Sequence, residues 1–440
     1  MDRKPDSSSA ALDGAGRVAA NGLIDRRVFL MRGMAAAGAA ATGAVAAGWT
    51  AAARAADSIG QNALPWQKAP GAPFRPYGQP SRFAETVQRG VLQPYGDLAP
   101  GAGASMTPLH ALQGTITPSG LHFERHHNGV PAIDPSIHTL TIHGLVNRPL
   151  RFDLSALLRY PMVSRICFIE CSGNSFFNSF PDPQQKPCGM IHGLVSCSEW
   201  TGVPLAVLLD EAGAQTKAQW ILAEGADSAA MSRSIPLDKA MRDAFVALYQ
   251  NGEPVRPEQG YPLRLVVPGY EGNMNVKWLH RIKLTEGPTH TKDETSKYTD
   301  SLPDGKAEQF TFVMAVKSVI THPTVGMSMQ GKGFYEISGL AWSGAGKVKR
   351  VEVSADGGRT WGDAQLHEPV LDKSLTRFAM AWQWDGRPVQ LQSRATDDKG
   401  RVQITRKDWV AQYAPGQRYH YSAIQTWAIS QEGEISNVYL

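Results

Sequence analysis

The sequence predicts an α+β domain over residues 106–310, followed by an immunoglobulin-like β-sandwich over residues 311–440. Three observations predict it. Between 106 and 310, short apolar strand runs alternate with short helical runs, too irregularly for a doubly wound sheet. After about residue 311 helical periodicity disappears and alternating strands take over. At 440 residues the chain is also too long for one core, and its length suggests roughly two to three domains.

Residues 1–55 read as an export leader rather than as fold. Asp25-Arg26-Arg27-Val28-Phe29-Leu30 is a twin-arginine core, an Ala/Gly-rich run follows from Met34 to Trp49, and Ala53-Arg54-Ala55 fits a small-x-small cleavage pattern. The run is shorter than the roughly 20 residues a membrane span needs. The expectation is a Tat-exported, periplasmic protein with no span in its mature form. The formal charge of +4 belongs largely to this leader, which holds seven Lys/Arg and four Asp/Glu. Its removal leaves 37 basic against 36 acidic residues, so no electrostatic footprint for nucleic acid remains. Residues 56–105, rich in Pro, Gly and Gln, read as an extended N-terminal arm.

In the α+β domain, Leu140–Val146 reads as a strand and Leu154–Leu158 as a short helix stopped by Pro161. Ser164–Glu170 is a buried strand leading straight to Cys171. Val203–Ala212 is a helix, with Leu205, Leu208 and Leu209 on one face and Gly213 ending it. Phe245–Tyr249 and Leu263–Val267 are strands, with a turn at Asn251-Gly252. In the sandwich, Lys347–Ser354, a strand from Thr360-Trp361, Phe378–Trp384 and Val389–Thr396 alternate, with a turn at Asp356-Gly357-Gly358.

The chemistry concentrates in Arg165–Asn174, where an apolar strand ends abruptly at Cys171-Ser172-Gly173-Asn174. A thiol at a strand end faces a cleft, and a metal can deprotonate it. All four cysteines (Cys167, Cys171, Cys188, Cys197) lie in one 31-residue window, so two disulfides are a competing reading. Local chemistry leaves metal ligand, disulfide and buried thiol open for Cys171, and leaves open whether Cys188 and Cys197 pair. No Cys-x-x-Cys-His occurs, so no c-type haem is expected on this chain. His122, His126 and His127 lack a nearby fourth ligand for zinc.

Five segments in order resemble the sulfite oxidase family. Glu170-Cys171-Ser172-Gly173-Asn174 resembles its C-x-G-N, and Phe123-Glu124-Arg125-His126-His127 with Pro131 resembles its F-x-R-N-H-x-x-P. Trp200–Leu205 resembles its W-x-G-V-P-L, Gly260–Gly269 its G-F-P-V-R-x-V-V-P-G, and Asn275–Leu279 its V-K-W-L. The match covers about 106–300, and the following sandwich, with Asp356-Gly357-Gly358 and Thr360-Trp361, resembles the family's dimerisation domain.

The resemblance implies a sulfite-oxidase-type molybdopterin domain with Cys171 as thiolate ligand to molybdenum. It implies that Arg264 and Lys277 hold the pterin phosphate, a role suited to cations. It places Phe123, Arg125, His126, His127, Asp227, Gln259, Asn275 and Val276 around the cofactor. Arg125 also stands near the substrate oxyanion, and Tyr298 beside the oxo group; these two are the expected catalytic residues.

Three positions depart from the family pattern. His126 replaces an asparagine, Gln259 a histidine, and Phe176 a second arginine of sulfite-oxidising members. A Ser175–Asn178 wall suits a sulfur less charged than free sulfite. With Glu294–Asp300, this resembles the family's sulfane dehydrogenase branch. That likeness implies sulfane sulfur borne on a small carrier protein, a dihaem c-type cytochrome as electron acceptor, a homodimer through the second domain and a heterotetramer with the cytochrome. Two alternatives stand beside it: a periplasmic sulfite dehydrogenase using cytochrome c, and a non-catalytic exported sandwich protein.

Overall fold

The computed structural model describes residues 18–25, 64–84, 86–94, 96–99 and 101–440. The expected twin-arginine pair, apolar run and cleavage site lie outside the described residues. One compact unit takes in residues 24–87. Its described part has only single turns of 3-10 helix, at Pro65–Gln67 and Arg82–Ala84. Residues 18–23 and 88 onward form the other unit. Among the described residues no helix is long and apolar enough to cross a membrane.

The α+β part of the second unit is built on two sheets. One runs in the order Ser232–Pro236, Trp220–Gly225, Leu279–Thr285, Thr139–Gly144, Leu150–Asp153. Leu279–Thr285 pairs parallel to Thr139–Gly144, and the other pairs are antiparallel. The other sheet runs Glu253–Pro254, Phe245–Gln250, Val195–Pro204, Val163–Glu170, with Arg264–Val266 also paired to Phe245–Gln250. A three-stranded sheet of Gly90–Leu92, Gly103–Met106 and Glu124–His126 brings the Phe123–His127 segment alongside.

The expected Val203–Ala212 helix begins two residues later, as Leu205–Ala212. The residue before a proline is pushed into extended backbone, so Val203 stays in the preceding strand, which runs on to Pro204 at the helix N-cap. Leu205, Leu208, Leu209 and Ala212 are buried as the spacing requires, and Gly213, at φ 68°, closes the helix.

From Lys317 the chain makes two five-stranded sheets. One holds Lys317–His322, Gly333–Trp342, Thr376–Trp384, Gln365–Leu366 and Leu23–Ile24. The other runs Gly362–Asp363, Val348–Ser354, Val389–Asp397, Thr426–Ile429, Ile435–Val438. Trp342, Trp382, Trp384 and Trp427 are fully buried in one core with Val319, Val351 and Leu391. Helical structure does not vanish from this half. Arg406–Gln412 is a helix, started by Thr405, whose side chain accepts from the Asp408 amide.

All four cysteines are free thiols, so the two-disulfide reading is corrected. Cys167 faces Ser198 and Cys197 faces Phe168 across paired strands, while Cys197 Sγ lies 3.3 Å from Ser374 Oγ. Cys188 sits apart, at the start of the Cys188–His192 helix. Burial pushes all four thiols above their usual range.

Candidate active site

The Val163–Glu170 strand delivers Cys171 to the floor of a cleft of about 680 Å³. Pairing continues one step past the strand, with the Cys171 amide donating to Leu194 O at 2.9 Å. The chain then turns, and the Asn174 amide donates to Cys171 O at 2.8 Å. Behind the cysteine, Glu170 is locked from three sides. It accepts from Asn174 Nδ2 at 2.8 Å, Lys317 Nζ at 3.2 Å and Trp342 Nε1 at 2.7 Å. Two of these donors belong to the second domain, so the sandwich braces the strand end that presents the thiol. Gly272 approaches from the other side. A Cβ there would stand 2.9 Å from Glu170 O and 3.1 Å from Cys171 Cα, so only glycine fits without a shift.

All twelve residues singled out from the sequence line this one cleft: Phe123, Arg125, His126, His127, Cys171, Asp227, Gln259, Arg264, Asn275, Val276, Lys277 and Tyr298. Arg264 is buried, and its Nη1 donates to Gln259 O at 3.1 Å and Gln259 Oε1 at 3.0 Å. Its Nε has no partner, and burial pulls its pKa down to about 9. Lys277 Nζ donates to Arg125 O, Glu258 O and His126 Nδ1, the last at 2.7 Å, and burial holds it well below its ordinary pKa. That bond makes His126 Nδ1 the acceptor, which leaves its Nε2–H to donate to Glu124 Oε2 at 2.8 Å. Across the cleft, Asp227 Oδ1 is buried without a partner.

Some expected contributions take a different form. The side-chain amide of Asn275 is committed to its own loop, accepting from the Val267 amide at 2.8 Å and donating to Glu271 O at 3.1 Å. Gln259 Nε2 donates to Phe123 O at 2.9 Å. Gln259 therefore orients Arg264 from below and ties down the Phe123 segment. Arg125 Nη1 donates to the carbonyls of Gly103 and His126. The Tyr298 hydroxyl lies 3.0 Å from His127 Nε2. Burial lowers the His127 pKa to about 4 and raises that of Tyr298, so both are neutral near pH 7.

The expected Ser175–Asn178 wall is not among the cleft's lining. Ser175 adopts φ 68° and turns the chain away; its hydroxyl bonds Lys317 Nζ at 2.5 Å and His192 Nδ1 at 2.7 Å. Phe176 then stacks on Phe177, with ring centroids 4.1 Å apart. Four lining residues had no site role in the sequence reading: Met231, Gly272, Asn273 and Trp278. Trp278 lies within the Asn275–Leu279 motif, and its indole N–H donates to Pro257 O at 2.9 Å. Nothing local marks Met231 or Asn273, which reach the cleft only through the fold. Among the described residues no cluster of three or more His, Cys, Asp or Glu is arranged for a metal.

The cleft suits a molybdopterin. It offers one soft sulfur donor, a buried arginine without a carboxylate partner, a second buried cation, and an unpartnered carboxylate oxygen able to accept from a ring N–H. Two buried polar atoms without partners, Arg264 Nε and Asp227 Oδ1, are what a missing polar ligand would leave.

Comparison with known proteins agrees. Residues 127–293 match the family model of the oxidoreductase molybdopterin binding domain, and residues 308–426 that of the Mo-co oxidoreductase dimerisation domain. The chain is 31% identical over 330 residues to mitochondrial sulfite oxidase of Mus musculus, covering 68% of this chain and 59% of that one. It is 34% identical over 313 residues to NADH nitrate reductase of Solanum lycopersicum, covering 64% of this chain and 34% of that one. The chain thus spans less than two thirds of the length of these relatives. Against the crystal structure of the sulfane dehydrogenase SoxCD from Paracoccus pantotrophus, identity is 43% and the TM-score 0.84, over 86% of this chain and 98% of that one. The ordered motifs, the cleft and the two matched domains together make this chain a member of the sulfite oxidase family of molybdopterin oxidoreductases.

Proposed function

We propose that the protein is the molybdenum subunit of an exported sulfane dehydrogenase. It oxidises sulfane sulfur held on a carrier protein and passes electrons to a c-type cytochrome. The observation that carries this reading is the 43% identity to SoxCD across nearly all of that chain. Bound molybdopterin supplies two-electron oxygen transfer, with water as the oxygen source. This chain's residues supply the rest. Cys171 is the thiolate ligand, and Arg264 and Lys277 hold the phosphate. Asp227 accepts from the pterin, and Arg125 sets a cation where anionic oxygen builds up on the sulfur as it is oxidised. Tyr298, backed by His127, places a neutral O–H at the reacting end of the cleft.

The second domain, matched to a dimerisation domain, supports a homodimer, and the SoxCD likeness supports a partner subunit, which this reading makes a c-type cytochrome in a heterotetramer. The leader motifs support Tat export to the periplasm; N-terminal sequencing of periplasmic protein should start near Ala56. A second reading, oxidation of free sulfite, is favoured by Arg125 in the cleft and by the sulfite oxidase relative. Steady-state cytochrome c reduction decides between them. The expected result is turnover with the sulfur-charged carrier protein and little with free sulfite. Fast reduction by free sulfite alone would replace the first reading with the second.

A further inference from the structure

The segment just ahead of the twin-arginine pair is folded onto the sandwich. An export leader is ordinarily read as unstructured chain, and so short a turn and strand end is not stable alone in water. Yet Val18–Leu23 belongs to the same compact unit as the two domains. Leu23 is fully buried in the main core. Gly22 O accepts from the Gln383 amide at 2.9 Å, and Asn21 O accepts from Trp382 Nε1 at 2.9 Å. Asn21 Nδ2 donates to Ala355 O at 2.8 Å, and the Ala20 amide donates to Thr360 Oγ1 at 3.0 Å.

The fit is specific. Gly22 has φ 89°, and a Cβ there would stand 1.9 Å from Gln383 O, so no other residue fits. Gly362 has no side chain where Val18 packs: a Cβ on it would stand 2.6 Å from Val18 Cγ2. The strand Thr376–Trp384 is paired along its inner side with Gly333–Trp342. Among the described residues, its outer side is covered at Phe378 and Ala379 by Gln365–Leu366, and at Trp382 and Gln383 by the leader segment. The leader thus completes a sheet edge that would otherwise present unpaired amides.

We propose that Val18–Leu23 is a docking segment, a turn closed by the Val18 amide on Leu23 O at 3.0 Å, by which the leader is bound to its own folded second domain until the leader is removed. The proposal rests on the export reading. The receptor is a finished surface: it needs Trp382, Gln383, Ala355 and Thr360, which come together only when both sheets of the sandwich have formed. The arginine pair therefore follows an anchor that exists only on folded protein. Removal of the leader uncovers the end of the Thr376–Trp384 edge and the pocket of Leu23.

Hydrogen exchange on the full-length precursor, purified from cells lacking the twin-arginine translocase, tests this. Peptides covering 18–25 and the end of 376–384 should be protected at least ~10-fold over unstructured chain, the behaviour of hydrogen-bonded backbone. Leu23→Asp and Gly22→Val should each abolish protection of 18–25 and speed exchange at Gln383. Exchange in Gly333–Trp342 and the activity of the loaded enzyme should stay unchanged, which shows the sandwich intact. The exported form should show the same fast Gln383, slowed again by a synthetic peptide of residues 18–25. Wild-type 18–25 exchanging as unstructured chain, or Gln383 indifferent to both substitutions, would overturn the docking segment. A docked precursor that is never shortened or exported would instead sink the export reading, so the two failures are separable.

Discussion

His420, from the C-terminal segment, meets the carboxylate of Asp300 through Nδ1 at 2.9 and 2.8 Å, and its Nε2 lies 3.3 Å from Glu271. Its backbone amide donates to Ser172 O at 2.7 Å, one residue past Cys171. One residue thus joins the Tyr298–Ser301 loop, the Glu271 loop and the cysteine turn, the first two through its imidazole and the third through its amide. Burial alone would lower its pKa, but the two carboxylates raise it to about 10. Burial would likewise raise Glu271 and Asp300, yet His420, with Arg233 and Thr311 respectively, holds each below its usual value.

The sign of the resulting pH dependence follows. A raised histidine pKa stabilises fully below its unfolded value near 6.5 and loses that contribution as pH climbs through about 10. Wild-type unfolding free energy should fall between those limits, and His420→Gln should lack most of that fall. At pH 7 the substitution leaves two buried carboxylates short of a cation and should cost about 3–5 kcal/mol. Urea unfolding at pH 7 and pH 9.5 checks both.

Arg264→Met should leave the chain folded and the cofactor loosely held. The guanidinium has no carboxylate to leave stranded, and Gln259 can turn its amide to other partners. Losing one charge-assisted contact of about 1.5–3 kcal/mol weakens retention roughly 10- to 100-fold. Molybdenum and pterin content after dialysis would measure it; unchanged content would remove Arg264 from the phosphate site.

Much of this site was legible in the sequence, and the reason is local. Cys171 ends a strand, Arg264 opens one, and Lys277 sits in a tight turn before Leu279–Thr285, so short motifs position each. What makes Cys171 rigid was not legible. Lys317 and Trp342 reach Glu170 from about 150 residues away, and no local pattern marks such a pairing. Phe176 shows the converse failure. Its place in the motif suggested a cleft wall, but one left-handed residue, Ser175, sends it elsewhere. The strands Lys317–His322 and Gly333–Trp342 were missed because the first, and the second half of the other, are buried on both faces and show no clean alternation.

Gly272→Ala should strike the cysteine without touching any ligand. The added methyl would meet the Glu170 carbonyl and Cys171 Cα, both held by three bonds to Glu170. Relief requires the Gly272–Met274 turn to retreat, at a cost of about 1–3 kcal/mol. The expected outcome is lowered thermal stability together with an altered Mo(V) electron paramagnetic resonance signal.

Tyr298→Phe separates chemistry from binding. The phenol oxygen bonds only His127 among the described residues, and both groups are neutral near pH 7. Tyr298 also holds φ 55°, an uncommon conformation for a bulky residue, kept by the Asp300 carboxylate clamped two residues on. Removing the hydroxyl leaves that clamp and the ring contacts with Tyr419 and Arg233 intact. The fold and cofactor content should therefore match wild type. A hydroxyl that donates only as charge develops on oxygen should show in kcat, lowered roughly 100-fold, with KM moved less than about threefold. Stopped-flow reduction of the loaded enzyme, with substrate in excess, reads the chemical step directly. An unchanged rate there would assign Tyr298 to shaping the cleft rather than to the reaction.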